Sequence, residues 1–387
     1  MMNKIIAFVK KETVLTVSWV LAIASAFIVR PDKEYIGYID LKSIGTLWCL
    51  MIVVSALTEI GVFDRIGEIL LGRTKYVWQL LALLVFLPFF SAMFITNDVA
   101  LLTFVPFSIH ILKMSDKERL LIPVVAFQTI GANLGSMLTP IGNPQNIYLF
   151  GLSKMRVDEF VLLMLPYTCI SMLFLMACII TVKGKRKKIF ENSDSASGIK
   201  KLKKPDTKPF YIAFGRKRLT AIFGVLFILA VLSVAFPTVV RYPIVVVVIL
   251  ITCLLIDKTL IVSIDYALLF TFVGFFIFTG NLGRIDDVRG FLVELVKGHE
   301  VVAAVVSSQF ISNVPAALLL SEFTTNVKDL IVGVNIGGLG TLIASMASLI
   351  SFKLLAHRYN EEKGKYLLYF TGVSIVFLFV LMGYALL

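Results

Sequence analysis

Eleven long stretches almost free of charge divide this 387-residue chain, and they leave few folds open to it. They run over 13–30, 43–60, 77–95, 119–138, 158–182, 219–236, 242–256, 266–283, 301–320, 329–351 and 366–387. A helix of about 20 apolar residues crosses the hydrocarbon core of a bilayer. Packed inside a soluble protein instead, these stretches would need a polar shell. The chain is 58% hydrophobic and only 16% charged, whereas a soluble domain carries about 25% charged residues. The expectation is an all-α polytopic membrane protein whose first partner is the lipid bilayer.

Residues 13–30 form a full-length span with no small-residue cleavage pattern after it, so they read as a retained helix and not as a signal peptide. Cys49, Cys169, Cys178 and Cys253 all fall inside apolar spans without metal-type spacing and read as small packing residues. His110, His299 and His357 are far apart. Neither an HExxH nor a Ser/His/Asp pattern occurs, so a membrane-embedded enzyme has no visible nucleophile, base or metal cluster to work with. No cofactor is expected.

The net charge of +12 would suggest nucleic acid in a soluble protein. In a membrane protein it reports topology, because Lys and Arg gather in cytoplasmic loops. Thirteen of these residues lie between Lys183 and Arg218, among Ser193, Ser195, Ser197 and Gly198. Residues 183–217 therefore read as a flexible basic linker on the cytoplasmic side, and no nucleic-acid partner is expected. The linker separates a first half, 1–182, from a second, 218–387.

The halves resemble each other. IDLKSIGTLWCLMIVVSALTEI at 39–60 and IDYALLFTFVGFFIFTGNLGRI at 264–285 align without a gap, pairing Ile39 with Ile264, Asp40 with Asp265 and Thr46 with Thr271. Each is followed by a short amphipathic stretch, 61–73 and 286–298, suited to the membrane interface. Next come an apolar segment broken by polar residues, expected as a hairpin at 77–112 and at 299–323, and a Gly-rich broken helix, at 119–150 and at 329–351. A clean span closes each half. If neither hairpin crosses and 219–236 is an extra opening helix, the chain makes about nine crossings. The halves then run in opposite senses. An inside N-terminus and linker and an outside C-terminus place most of the 37 basic residues on the inner side.

Backbone unwound at membrane depth survives only where it is buried or lines a cavity. Inverted repeats with broken helices place substrate and coupling ions between half-helix ends near the midplane, in secondary transporters. The first break is Thr96-Asn97-Asp98, and Asp98 is the one carboxylate flanked by long apolar runs on both sides. An ionisable group there suggests ion or proton coupling; capping a helix that starts at Val99 is the structural alternative. The second break is Ser312-Asn313, with Val314 and Pro315 after it. The third, Thr139-Pro140-Ile141-Gly142-Asn143-Pro144-Gln145-Asn146, ends one helix and starts another. The fourth, Gly337-Gly338-Leu339-Gly340-Thr341 with Ser345 and Ser348, offers close backbone approach and hydroxyls. A small-residue helix contact is the alternative for those two serines.

At these residues the chain resembles the ion transporter superfamily, which includes divalent anion–sodium symporters, citrate-transporter-like permeases, arsenite permeases and one class of sodium/proton antiporters. The resemblance covers nearly the whole chain. It rests on the two Ser/Thr-Asn tips and on a broken helix of the form Gly-(Ser/Thr)-x-x-Thr-Pro-x-Gly-x-Pro-x-Asn, here Gly135 to Asn146. It implies that the tips and unwound loops hold substrate and Na+ or H+. Thr96, Asn97, Asp98 and Gly135 would form one possible Na+ site and Ser312, Asn313 and Gly340 another. The unwound loops would be Gly135 with Thr139–Asn146 and Gly340–Ser345. It also implies a transport domain sliding against a scaffold that often dimerises.

Two departures narrow the resemblance. Asp98 and Val314 stand where the sodium–dicarboxylate branch carries threonines. A carboxylate there would repel an anion unless protonated or cation-bound. The expected function is secondary transport of a small carboxylate or oxyanion across the plasma membrane, coupled to Na+ or H+. An arsenite permease or a sodium/proton antiporter of the same superfamily stays open, as does a non-transporting receptor or scaffold. The topology has a direct test. A thiol introduced as Ser195→Cys will react with a membrane-impermeant maleimide only from the cytoplasmic side, and reaction from outside would reverse the orientation.

Overall fold

This computed structural model describes residues 12–71, 74–182 and 215–387, so the basic linker lies almost wholly outside the described residues. The first half runs α1 (Thr13–Ile28), a short α2 (Glu34–Tyr38), α3 (Leu41–Ile60), α4 (Val62–Leu71), α5 (Val77–Ile95), α6 (Asn97–Met114), α7 (Leu121–Ser136), α8 (Pro144–Ser153) and α9 (Val157–Thr181). After α10 (Arg216–Ala235) the second half repeats that order. It runs α11 (Tyr242–Ile256), a short α12 (Thr259–Ser263), α13 (Tyr266–Gly283), α14 (Asp286–Val296), α15 (Glu300–Ile311), α16 (Asn313–Ser321), α17 (Val327–Gly337), α18 (Met346–Arg358) and α19 (Lys363–Ala385). The protein is an all-helical polytopic membrane protein, and α10 stands between the two series. Six of these helices are long and apolar enough to cross a bilayer. One is α5, so arm length alone does not mark the first hairpin as re-entrant. Its arms of 19 and 18 residues exceed the 12 and 9 of the second.

The Ile-Asp pair aligned between the halves proves to be a repeated helix cap. Asp40 accepts from the backbone N–H of Lys42 and Ser43, and Asp265 does the same for Ala267 and Leu268. The two caps have near-identical backbone angles, φ −75° and ψ 85° against φ −78° and ψ 86°. Each satisfies two of the donors that a helix start leaves open.

The packing partners are exchanged between the halves. Helix α1 lies along α13: Ser18 meets Gly274, and Asn281 Nδ2 donates to Ser25 Oγ at 2.9 Å. Helix α11 lies along α3, with Tyr242 and Val246 over Gly45. At one end of α13, Arg284 pairs with Asp32 at 2.8 Å and with Glu34 at 3.4 Å. The hydrogen bond from Arg284 holds the Asp32 carboxyl below its usual range. At another surface, Tyr359 donates to Glu118 at 3.2 Å. Both contacts join segments that the sequence assigns to one side of the bilayer.

The broken helices are packed closely against the hairpins. A Cβ at Gly135 would stand 1.9 Å from Phe89 O on α5, and one at Gly337 would stand 2.6 Å from Ser308 Oγ on α15. Proline placement fits the same scheme. Pro88 inside α5 has no N–H to give to Leu84 O, and that carbonyl accepts from Gln128 Nε2 at 2.7 Å. Gln128 also donates to Ser108 Oγ at 2.6 Å, which ties α5, α6 and α7 together. Gly135→Ala should overpack this contact and cost about 1–3 kcal/mol; thermal unfolding in detergent will show a clear fall. Gly224, which has open space around its α-carbon, should tolerate Ala.

Candidate functional site

The tips of both hairpins are single-residue breaks. Thr96 has φ 69° and ψ 150°, and Ser312 has φ 74° and ψ 154°. Positive φ with extended ψ is glycine territory, and a side chain there stores about 1–3 kcal/mol of strain. The same strain at both tips implies a shared geometric demand: the chain must reverse direction within one residue and start a helix at Asn97 or Asn313. Asp98 does not act as an N-cap for a helix beginning at Val99, as the capping alternative required. The helix begins at Asn97, whose own Oδ1 accepts from Asp98 N–H at 3.0 Å. The Asp98 side chain is left for the cavity.

The first unwound loop is shorter at its far end than the sequence suggests. Asn143 caps α8 by accepting from Asn146 N–H at 2.9 Å. Pro144, Gln145 and Asn146 thus open α8 and do not extend the loop, because Pro fits a first helical turn. Thr139, Pro140, Ile141 and Gly142 stay in the loop. Its turn is tight enough that a Cβ on Gly142 would come within 2.0 Å of Ser136 O. Gly142 O accepts from Asn97 N–H at 3.1 Å, which joins the first loop to the first tip. In the second loop Gly340 has φ 101°, and its N–H reaches Ser374 Oγ on α19 at 2.8 Å. Gln309 on α15 accepts from Thr341 N–H at 3.1 Å and donates to Gly337 O and Leu339 O. Gly338 packs on the Asn313 amide. Pro315 sits in the first turn of α16.

Two residues that the sequence reading passed over organise the whole site. Asn133 on α7 and Asn335 on α17 are both buried. Each reaches across to the helix start that follows the unwound loop of the other half and bonds to two residues three apart. Ser345 Oγ donates to Asn133 Oδ1 at 3.0 Å, and Asn133 Nδ2 donates to Ser348 Oγ at 3.1 Å. In the mirror arrangement Asn143 Nδ2 donates to Asn335 Oδ1 at 3.0 Å, and Asn335 Nδ2 donates to Asn146 Oδ1 at 2.7 Å. Asn97 adds its own amide to Asn133 at 2.9 Å, binding the first tip into the brace. A signal was present in the chain: Gly131-x-Asn133-x-Gly135 recurs as Gly333-x-Asn335-x-Gly337. Ser345 and Ser348 are bonded to Asn133 across the halves, which goes beyond a small-residue helix contact.

Two cavities border the brace. One of about 10 Å³, near the size of a single water, lies where Asn97, Asp98, Gln145, Asn313 and Ser345 converge. It unites both tips with the residues that open α8 and α18. A larger one, about 320 Å³, opens between α3 and α13 on one side and the first tip and α18 on the other. Thr96, Asp98, Glu59, Asp265 and Thr103 line it, and no Lys or Arg does so among the described residues. Gly135, Gly340 and Pro140 serve the packing of the loops and do not line either cavity.

Hairpins strained at their tips, broken helices braced across two halves and a cavity beside the first tip belong to a polytopic membrane transporter. The chain belongs to the citrate transporter family, whose pattern matches residues 5–332. It is similar to an uncharacterized transporter of Methanocaldococcus jannaschii, 32% identical over 92% of each chain. It is also similar to the inner membrane protein YbiR of Escherichia coli, 28% identical over 94% of this chain and 92% of that one. A shorter match joins it to the silicon efflux transporter LSI3 of rice, 29% identical over 36% of this chain and 28% of that one.

The brace makes a prediction about energetic coupling. Asn133→Ala and Ser345→Ala should each lower stability, by about 1 kcal/mol for a hydrogen bond inside a membrane protein. Because they remove the same contact, the double variant should lose less than the sum. Additive losses in denaturant-unfolding measurements would separate the two residues.

Proposed function

We propose that this protein is a secondary active transporter of a small carboxylate or oxyanion, coupled to Na+ or H+, working in the plasma membrane by an elevator-type alternation. The observation that carries this reading is the crossed brace between the two halves. It makes α5–α8 and α15–α18 one unit holding both tips. Helices α1, α3, α10, α11 and α13 pack on one another as a second unit. The large cavity lies between the two units, where relative sliding would open and close it. The exchanged packing of α1 on α13 and α11 on α3 supports an inverted relation between the halves. Dimerisation through the second unit would follow the family habit.

Asp98 keeps a second reading in play. Its carboxylate faces a cavity whose other charged groups are also acidic, which suits a bound cation or proton and repels a bare anion. An antiporter or an arsenite-type permease would use such a site without any anion. Melting of the purified protein separates the two readings, since a ligand that binds only the native state raises the midpoint. The screen covers di- and tricarboxylates, sulfate, phosphate and arsenite, in sodium and in choline, at two pH values. Sodium- or proton-dependent stabilisation by an anion, lost in Asn313→Ala, is the expected result. Stabilisation by sodium or pH alone, altered by Asp98→Asn and indifferent to every anion, would favour the second reading. Reconstituted Asp98→Asn should keep substrate binding but lose coupled accumulation; full coupled transport would remove Asp98 from the coupling step.

A further inference from the structure

A second recess lies on the face that α6 and α18 share, one helical turn beyond the large cavity. Its walls are Pro106, Ile109 and Leu354, and its rim is Lys353, His357 and Arg358, with a volume of about 380 Å³. The register of the helices sets the two spaces in line along one face of α6 and of α18. Along α6 the cavity takes Asp98, Val99, Leu102 and Thr103, and the recess continues with Pro106 and Ile109. Along α18 the cavity takes Met346 and Ile350, and the recess continues with Lys353, Leu354 and His357. Steps of three and four keep each set on one face of its helix. We take this shared face as a groove that runs from the tip carboxylate to Lys353, His357 and Arg358 at the far end of α18.

The charges along it are ordered. All three rim residues are exposed and make no ion pair among the described residues, and the nearby Glu118 carboxylate is engaged by Tyr359. Asp98 and Glu59 line the cavity on the same face, and Thr103, buried with its hydroxyl unpartnered, faces that space. A groove in low-dielectric walls concentrates ions of the sign opposite to its lining. We propose that Lys353, His357 and Arg358 form an anion-collecting mouth on the cytoplasmic side, through which the carboxylate or oxyanion cargo enters or leaves the groove to Asp98. This deepens the transporter reading and rests on it. The cationic mouth draws the anion to the groove, and the acidic inner stretch admits it only in company with a cation or proton.

The test measures charge-selective access and needs no transport. In a background with the four native cysteines replaced, Leu102→Cys places a thiol on α6 within the groove. Inside-out vesicles are treated with a sulfonate-bearing or a trimethylammonium-bearing methanethiosulfonate of similar size. Lys353→Gln, His357→Gln and Arg358→Gln together should lower the anionic-to-cationic rate ratio about tenfold at low ionic strength. Salt near 1 M should lower it in the parent, because the Debye length falls to about 3 Å. An unchanged ratio in a folded triple variant overturns the proposal. If that variant does not fold, a parent ratio indifferent to salt overturns it instead. If neutralisation leaves the ratio alone but abolishes thermal stabilisation by phosphatidylglycerol, the cluster holds an anionic lipid and the proposal also fails. A salt-sensitive ratio in a protein that no anion stabilises would keep the mouth and reject the anion cargo.

Discussion

Two asparagine side chains hold this structure together at its centre. A primary amide can accept on one atom and donate from another, and Asn133 and Asn335 use both capacities on partners from the opposite half. Water cannot serve the unwound stretches at membrane depth, so their polar groups must find protein partners. The braces meet that demand. They also fix where α8 and α18 begin, and α8 and α18 in turn fix the small cavity between the tips. The glycines on either side of each asparagine bring α7 and α17 close to the hairpins, which carries the position of the brace out to Thr96 and Ser312. The strain at those two residues is sustained only because the surrounding contacts over-determine their geometry.

Much of this architecture is legible in the chain because its signals are local. Apolar length gives the helices, the two aspartates give matched helix starts, and proline with glycine marks each break. Helix α10 lies between the two matching series, and the polar tips at Thr96 and Ser312 separate the helices on either side of them. What local signals do not carry is which polar side chains meet. Asn133 and Asn335 sit inside apolar helices with no break beside them, and only the recurrence of Gly-x-Asn-x-Gly could have raised them. Pro144 and Asn146 were legible as important, but whether they belong to a loop or a helix start depends on the cap that Asn143 supplies. The capping alternative for Asp98 failed for a similar reason: Thr96 takes the reversal alone, and the helix starts at Asn97, two residues before Val99, which frees the carboxylate.

Proline shows how a sequence feature with a local cost acquires a long-range partner. Pro88 removes a hydrogen bond from α5, and the carbonyl it frees is satisfied by Gln128 two helices later in the chain. A glutamine in an apolar helix and a proline in another look like separate anomalies until they are paired. The tight approach of Gly135 to Phe89 O lies one turn further along the same seam.

The brace is built entirely from uncharged groups. Moving an elementary charge through a membrane potential involves about 2.3 kcal/mol per 100 mV, and the bonds that hold the proposed moving unit together add none to it. Amides and hydroxyls carry no such work. In the proposed cycle the brace itself travels through the field without electrical cost, and Asp98 at the first tip adds a charge that depends on what it binds. The part of the voltage sensitivity that changes with Na+ or pH then reports the occupancy of that carboxylate: absent when a proton or cation neutralises it, and present, with a sign set by the direction of travel, when it moves bare.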